Sequence, residues 1–345
     1  MKKYKNFSNH KVVFRCDSAD IPEIGSGHLY RSIIIAKFLK KKFSLKPNQI
    51  VFVVKTKGNY SKNLIILSKH NFKIIELKSK IKDYSKQEAE YLKNIKANLL
   101  IIDRLGKMTK NFYKIIKDSY KKKIIIDDSS SHRKMFDLSL NPLIQNVPSF
   151  SGSRIGYKYL ILDHFNKKNI RVKNKIKNIF IFFGGFDSKK LSIRVIKILN
   201  KLDLRLNIVL PLAYKKQIKE NRLKHRIVFF NSGDYLRELV KSNIAIVAGG
   251  ISLFDAILNK KKIICIPQYK HQKINAKKIA KTNAINYINP DNKKFDSEVK
   301  SIFLRIFKDN TYHKKIKTIQ KRIIDIKKVN NTLRLISNIY DKSKN

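Results

Sequence analysis

A single imidazole early in the chain is the residue best placed to do chemistry. His28 follows Gly25-Ser26-Gly27 and opens an apolar segment that reads as a helix, while Val12-Val13-Phe14 before the turn reads as a short strand. Strand, glycine turn and helix in that order leave the first helical N–H groups open, and a helix start is a region of positive potential that favours an anion. The same field favours the neutral imidazole that a general base requires near neutral pH. Gly25 and Gly27 leave room for a ligand beside the ring, and Arg15, Asp17 and Arg31 share the stretch Lys11 to Lys42. A glycine turn with a packing histidine is the plainer reading of this stretch alone. Motifs further along the chain weigh against it.

Ala248-Gly249-Gly250-Ile251-Ser252 joins an apolar strand to a helix, with Asp255 one turn in. Glycines at a helix N-terminus can hold a pyrophosphate through backbone N–H groups, and a carboxylate one turn later can accept from a ribose diol. The loop Pro267 to Gln272 follows the next strand, and the amide of Gln272, or backbone groups beside it, could read the edge of a base. Other chemistries find less support. Gly25-Ser26-Gly27 lacks a third glycine at the dinucleotide spacing, and no G-x-x-x-x-G-K-[ST], H-E-x-x-H or G-x-S-x-G is present. Cys16 and Cys265 stand far apart with no C-x-x-C, so neither a disulfide framework nor a zinc site is indicated. No metal and no cofactor are expected.

The elements that must position these residues follow one pattern. Apolar strands at Ile50 to Val54, Phe72 to Leu77, Leu99 to Ile102 and Ile124 to Ile126 alternate with helical stretches at Lys86 to Ile95 and Phe112 to Asp118. Such alternation implies βαβ units and a parallel sheet. Asp17, Asp103 and Asp127 stand just past strand ends, the edge where open α/β sheets bind ligands, although at least one of them is expected to cap a helix. A second series starts at Ile179 to Phe183, which closes on Gly184-Gly185-Phe186-Asp187, and continues through a helix at Tyr214 to Glu220 and a strand at Ile244 to Val247. The expected architecture is α/β: two doubly wound, Rossmann-like domains facing a central cleft. Their spans are 1–166 and 179–325, with a basic linker at 167–178 and a basic C-terminal helix or tail at 326–345.

The formal charge of +52 comes from 77 Lys and Arg against 25 Asp and Glu. A nucleic-acid binder would gather such charge on one stripe, but here the lysines are spread along the whole chain, with no aromatic–basic module of the RNA-binding kind. The chain is rich in Ile, Lys and Asn, and a coding bias would produce that pattern with no functional meaning. Charge beyond that bias suits an anionic small substrate or a peripheral association with an acidic membrane surface. No apolar segment reaches the length of a membrane span and the N-terminus lacks a signal-peptide core. A cytoplasmic monomer is expected, with no nucleic-acid partner.

Taken together, R-C-D-S at Arg15 to Ser18 and G-S-G-H-L-Y-R at Gly25 to Arg31 resemble the opening of the nucleotide-sugar hydrolase of pseudaminic acid biosynthesis. That family is similar in turn to the GT-B glycosyltransferase that completes lipid II. The resemblance covers roughly residues 11–290 and implies a GT-B fold and release of UDP from a UDP-activated sugar, with GT-B glycosyl transfer as the alternative. It makes His28 the base for the attacking water and implies that Arg15, Asp17, Gly25, Gly27, Arg31 and Asp103 meet the substrate. The nucleotide would fall to Gly184, Gly185, Asp187, Gly249, Gly250, Ile251, Ser252, Asp255 and Gln272. Asp255 stands where the family usually carries the longer Glu, and Leu105 where some members carry Tyr.

Overall fold

The computed structural model of the chain describes residues 11–21, 24–163, 177–185, 187–218, 223–309 and 311–344. It divides into two compact units, Met1–Ile161 with Lys327–Asn345, and Leu162–Ile326. Most of the linker read at 167–178 lies outside the described residues, as does Phe186.

In the first unit β1 (Val12–Cys16), β2 (Ile50–Lys55), β3 (Lys73–Leu77), β4 (Ala97–Gly106), β5 (Tyr120–Asp128), β6 (Leu138–Asn141) and β7 (Ser153–Ile155) form one sheet. Its order is β3-β2-β1-β4-β5-β6-β7, with every pairing parallel. β1 and β2 are buried at every residue, as unbroken apolar strands are when helices cover both faces. The helices are α1 (Gly27–Phe43), α2 (Lys62–Leu67), α3 (Lys86–Lys93) and α4 (Lys110–Ile116). On one face Val12, Phe14, Leu99 and Ile101 pack with Leu29, Ile33 and Ala36 of α1. On the other, Val13, Leu100 and Ile102 pack with Ala89 and Leu92 of α3 and Phe112 of α4. Strand alternation therefore sends Cys16 and Asp103 towards α1, and Arg15 and Arg104 towards α3. The strand order reverses between β1 and β4, so the edge beyond them is a topological switch point.

The second unit repeats the plan. β8 (Asn178–Phe182), β9 (Asn207–Pro211), β10 (Arg226–Phe230), β11 (Ile244–Val247), β12 (Lys262–Cys265) and β13 (Asn286–Tyr287) run β10-β9-β8-β11-β12-β13, all parallel. Its helices are α5 (Leu191–Asn200), α6 (Tyr235–Lys241), α7 (Ile251–Leu258), α8 (Lys270–Ala280), α9 (Phe295–Lys308) and α10 (Tyr312–Ile323). The last helix, α11 (Ile326–Asp341), returns to the first unit, where Leu333, Ile336 and Tyr340 join the core beside α1. Lys42 Nζ donates to Ser337 Oγ at 2.7 Å there. Among the described residues no helix is long and apolar enough to cross a membrane.

The two doubly wound parallel sheets agree with the sequence reading, and several local expectations do not: Lys270 to Gln272, read as part of a loop, form the first turn of α8, which Tyr269 caps. Of the stretch read as a helix from Tyr214 to Glu220, the part up to Gln217 belongs instead to a 3-10 turn, Leu212–Gln217, directly after Pro211, while Lys219 and Glu220 lie outside the described residues. β4 and β5 run on through Asp103 and Asp127, which lie inside their strands and not past them. Nor does Asp17, Asp103 or Asp127 cap a helix: Ser85 caps α3 and Thr109 caps α4, while the three carboxylates take other partners.

Candidate active site

Ser26 at the start of α1 makes no side-chain cap, and the first turn holds no acidic residue, so its amides carry no side-chain carboxylate. Gly25 sits at φ +55, a left-handed conformation that favours glycine, and its bridge to Ala19 closes the loop ahead of the helix. His28 is buried, and its Nδ1 lies 2.9 Å from Asp103 Oδ1. Arg31, one turn along and on the same helix face, donates from Nε to Asp103 Oδ2 at 2.8 Å and from Nη2 to Asp103 Oδ1. Its Nη1 reaches Asp127 Oδ2 at 2.8 Å. Asp127 in turn is held at φ +56, where its Oδ1 accepts the backbone amides of Leu143 and Ile144.

Burial alone would push the Asp103 carboxyl up. The Arg31 guanidinium, with hydrogen bonds from Arg31 and His28, outweighs that and holds it below the usual carboxylate range. Arg31 Nη2 stands 3.2 Å from the same Nδ1, but the ionised Asp103 oxygen at 2.9 Å is nearer and only accepts, so in the neutral ring the proton is assigned to Nδ1 and the lone pair to Nε2. The arrangement can therefore take a proton at Nε2, with the ring's orientation set by a buried ion cluster.

Arg15 and Asp17 belong to a different cluster on the opposite face of the sheet. Arg15 donates to Glu88 Oε1 at 2.5 Å and to Asp17 Oδ2 at 2.6 Å, and Asp17 Oδ1 accepts the Lys55 amide at 2.8 Å. The structure thus brings His28, Arg31 and Asp103 together behind Gly25 and Gly27, and does not bring Arg15 and Asp17 to them. Glu88 is the residue that sequence reasoning missed. It also accepts a bidentate pair from Arg104, both bonds 2.7 Å, and although burial works against ionisation, Arg104 and Arg15 hold its carboxyl far below the ordinary range. The capping-box spacing Ser85-x-x-Glu88 was the signal available for it.

In the second unit Gly250 caps α7 with no side-chain bond, leaving the amides around Ile251 and Ser252 without a side-chain acceptor at the cap. A Cβ at Gly249 would stand 2.6 Å from the carbonyl oxygen of Gln272, so only glycine lets α7 and α8 approach this closely. Asp255 is 6% exposed and accepts from the Tyr235 hydroxyl at 3.0 Å. Burial, with a smaller push from Asp163 and against the Tyr235 hydrogen bond, raises its carboxyl to about 7. Gln272 Oε1 accepts the Gln268 amide at 2.9 Å. Gly184, at φ +91, accepts from Tyr214, and Gly185 follows it in the turn after β8. Gln268 ties this turn to the segment that leads into α8 by donating to the Phe183 carbonyl at 2.5 Å. Asp187 spends both carboxylate oxygens inside the protein, on the Leu191 and Ser192 amides and the Ser192 hydroxyl. Among the described residues, no group of three or more His, Cys, Asp or Glu side chains could hold a metal ion.

No protein-family model matches the chain. It is 31% identical over 290 residues to an uncharacterised protein of Methanocaldococcus jannaschii, across 76% of this chain and 57% of that one. It is 24% identical over 236 residues to the spore coat polysaccharide biosynthesis protein SpsG of Bacillus subtilis, across 63% of this chain and 65% of that one. The chain thus spans less than two thirds of the length of either. Over 285 residues it is 26% identical to the UDP-2,4-diacetamido-2,4,6-trideoxy-beta-L-altropyranose hydrolase of Campylobacter jejuni, across 79% of this chain and 96% of that one. Among solved structures, Acinetobacter baumannii MurG matches with a TM-score of 0.62 at 12% identity, over 95% of this chain and 99% of that one. The fold is GT-B. Spinosyn rhamnosyltransferase SpnG shares it, with a TM-score of 0.63 at 11% identity over 95% of this chain and 99% of that one. The likeness read from Arg15 to Arg31 is borne out in sequence similarity to the hydrolase and in GT-B architecture.

Proposed function

We propose that this GT-B protein binds a UDP-activated amino or deoxy sugar and transfers its glycosyl group to water, in the biosynthesis of a nonulosonic acid or surface polysaccharide. The buried His28–Asp103 pair, clamped by Arg31 and Asp127, carries the reading. Nε2 of His28 takes a proton from water as the water oxygen bonds to the anomeric carbon. The bond from that carbon to the pyrophosphate oxygen breaks, its electron pair leaves with UDP, and the anomeric centre inverts. Gly249 to Ser252 hold the pyrophosphate, Asp255 the ribose and the Gln272 region the base. Similarity to a protein named as such a hydrolase, and to one named for spore coat polysaccharide biosynthesis, supports the substrate class. Activity is expected without added metal, because helix-start amides and lysines can neutralise the leaving group. A cytoplasmic monomer, peripherally associated with membrane at most, completes the proposal.

Glycosyl transfer to a carbohydrate or lipid acceptor is the second reading, favoured by the likeness to SpnG, which is named a rhamnosyltransferase. One experiment separates the two: UDP-sugars are supplied without acceptor and free UDP is followed, then acceptors are added. Stoichiometric UDP and free sugar without acceptor support hydrolysis. UDP release only with an acceptor establishes transfer, and loss of activity in EDTA that magnesium restores refutes metal independence. In ¹⁸O-labelled water the label is expected on the sugar. Calorimetry of UDP with Asp255→Ala is expected to show a loss of about 1.5 to 3 kcal/mol, the worth of a hydrogen bond to a charged group.

A further inference from the structure

Three cations converge on one carboxylate oxygen where the Arg15 network meets solvent. Lys55 Nζ stands 2.8 Å, Arg15 Nη2 3.3 Å and Arg104 Nη1 3.4 Å from Asp83 Oδ1. The cationic side chains are 4%, 0% and 6% exposed, whereas that of Asp83 is 39% exposed. They rise from β2, β1 and β4, adjacent strands of one sheet, and are held from behind. Arg15 is tied to Glu88 and Asp17, and Arg104 is paired with Glu88 and stacked over the Tyr84 ring at 3.9 Å. Asp83, by contrast, lies in the connection between β3 and α3, which also carries the exposed Lys78, Lys80 and Lys82.

Glu88 and Asp17 answer two of the three positive charges from inside the fold, and the third is answered by Asp83. A buried cation left without a partner is costly, so this position calls for an anion whether or not the chain supplies it. Arg104, Arg15 and the Lys55 hydrogen bond hold the Asp83 carboxyl below its usual range in spite of its partial burial. A preformed set of donors converging on one oxygen is the recognition chemistry of a carboxylate or a phosphoryl group.

We propose that Arg15, Lys55 and Arg104 form a binding site for an oxyanion of a small ligand, and that Asp83 occupies it as an internal stand-in which the ligand displaces. Arg104 follows Asp103 along β4, so this site lies across the sheet from His28, and it does not depend on the glycosyl chemistry proposed above.

The test compares Asp83→Asn with wild type by calorimetry, using inorganic phosphate and acetate separately at matched ionic strength. Removing the competing carboxylate is expected to tighten binding of at least one anion about tenfold, equivalent to about 1.4 kcal/mol. A gain for phosphate alone identifies a phosphoryl ligand, and a gain for acetate alone a carboxylate. Asp296→Asn, which removes a surface partner of Arg194 in the second unit, controls for the general basicity of the chain and is expected to show no gain. Adding Lys55→Met to Asp83→Asn is expected to abolish the gain. In the wild-type protein, the effective anion is expected to speed amide hydrogen exchange in loop 78–85, a readout that needs no variant. Equal affinities in wild type and Asp83→Asn, an equal gain in Asp296→Asn, or unchanged exchange with anion bound would overturn the proposal.

Discussion

Which nitrogen of His28 carries the proton is decided by a residue 75 positions away. Asp103 is ionised beside Arg31 and can only accept, so Nδ1–H faces it and Nε2 is left to act. His28→Asn is expected to lower turnover by about 10² to 10⁴ while UDP binding is unchanged, because the contacts assigned to the nucleotide come from other residues. Full turnover in the variant would return His28 to a packing role. Asp255 carries a prediction with a definite sign. Its carboxyl titrates near 7 in the folded protein and near 3.9 unfolded, so between these values the folded state holds a proton that the unfolded chain has lost. Its contribution is therefore fully present below about pH 4 and lost as pH rises through 7. Asp255→Asn is expected to remove about 2 to 4 kcal/mol of this fall, measured as the wild-type minus variant difference in urea unfolding from pH 4 to 8. Parallel curves would show that Asp255 does not titrate there. His28 was legible because glycines announced it, and Asp103 as an acidic residue near a strand end. Their pairing was not legible, because nothing local encodes a contact between α1 and β4. Arg15 and Arg31 look alike in the sequence, and only strand alternation and helix phase send them to opposite faces of the sheet.

At the level of elements, unbroken apolar runs such as Ile50 to Val54 declared the central strands, since burial on both faces leaves no polar position. β6, β7 and β13, of four, three and two residues, are too short to carry a period and escaped notice. β4 and β5 outran their apolar cores because Asp103 and Asp127 are neutralised by Arg31, a tertiary partner that a strand pattern does not include. Glycine spacing was read as a phosphate cradle at Gly249 and Gly250, and the packing now separates the two. Gly249→Ala would place a methyl 2.6 Å from the Gln272 carbonyl, whereas one at Gly250 meets only the Gln272 side-chain amide at 3.6 Å. Gly249→Ala is expected to destabilise by about 1 to 3 kcal/mol and to weaken UDP binding, and Gly250→Ala to shift the melting midpoint little. Equal midpoints for the two variants would deny that the α7–α8 approach requires Gly249.

Over the whole molecule, the two series of strands and helices were visible as two repeats of one plan, and the GT-B fold follows that plan. What the sequence could not convey was where helix α11 packs. α11 shows an amphipathic pattern that promises burial against something, but the identity of that surface depends on tertiary structure. Leu333, Ile336 and Tyr340 fill the side of the first core beside α1, and Tyr340 meets the Phe43 ring edge-on with centroids 4.7 Å apart. Ending the chain after Ile326 is expected to strip several buried side chains from that core, each worth about 2 to 5 kcal/mol, and to unfold the first unit. Limited proteolysis of the truncated protein should then leave a resistant fragment covering the second unit, and protection of both units alike would contradict the assignment of α11.

That returning helix bears on how the protein is made. A ribosome delivers residues in order, and domains generally fold as units as they emerge. By the time residue 326 is out, the second unit has its whole sequence, while the first still waits for the strip of side chains on α11. Its strands β1 to β5 must pass that interval with part of their core facing water and in need of shelter from neighbouring chains. The strands of the first unit are therefore made before those of the second and reach their final packing after them.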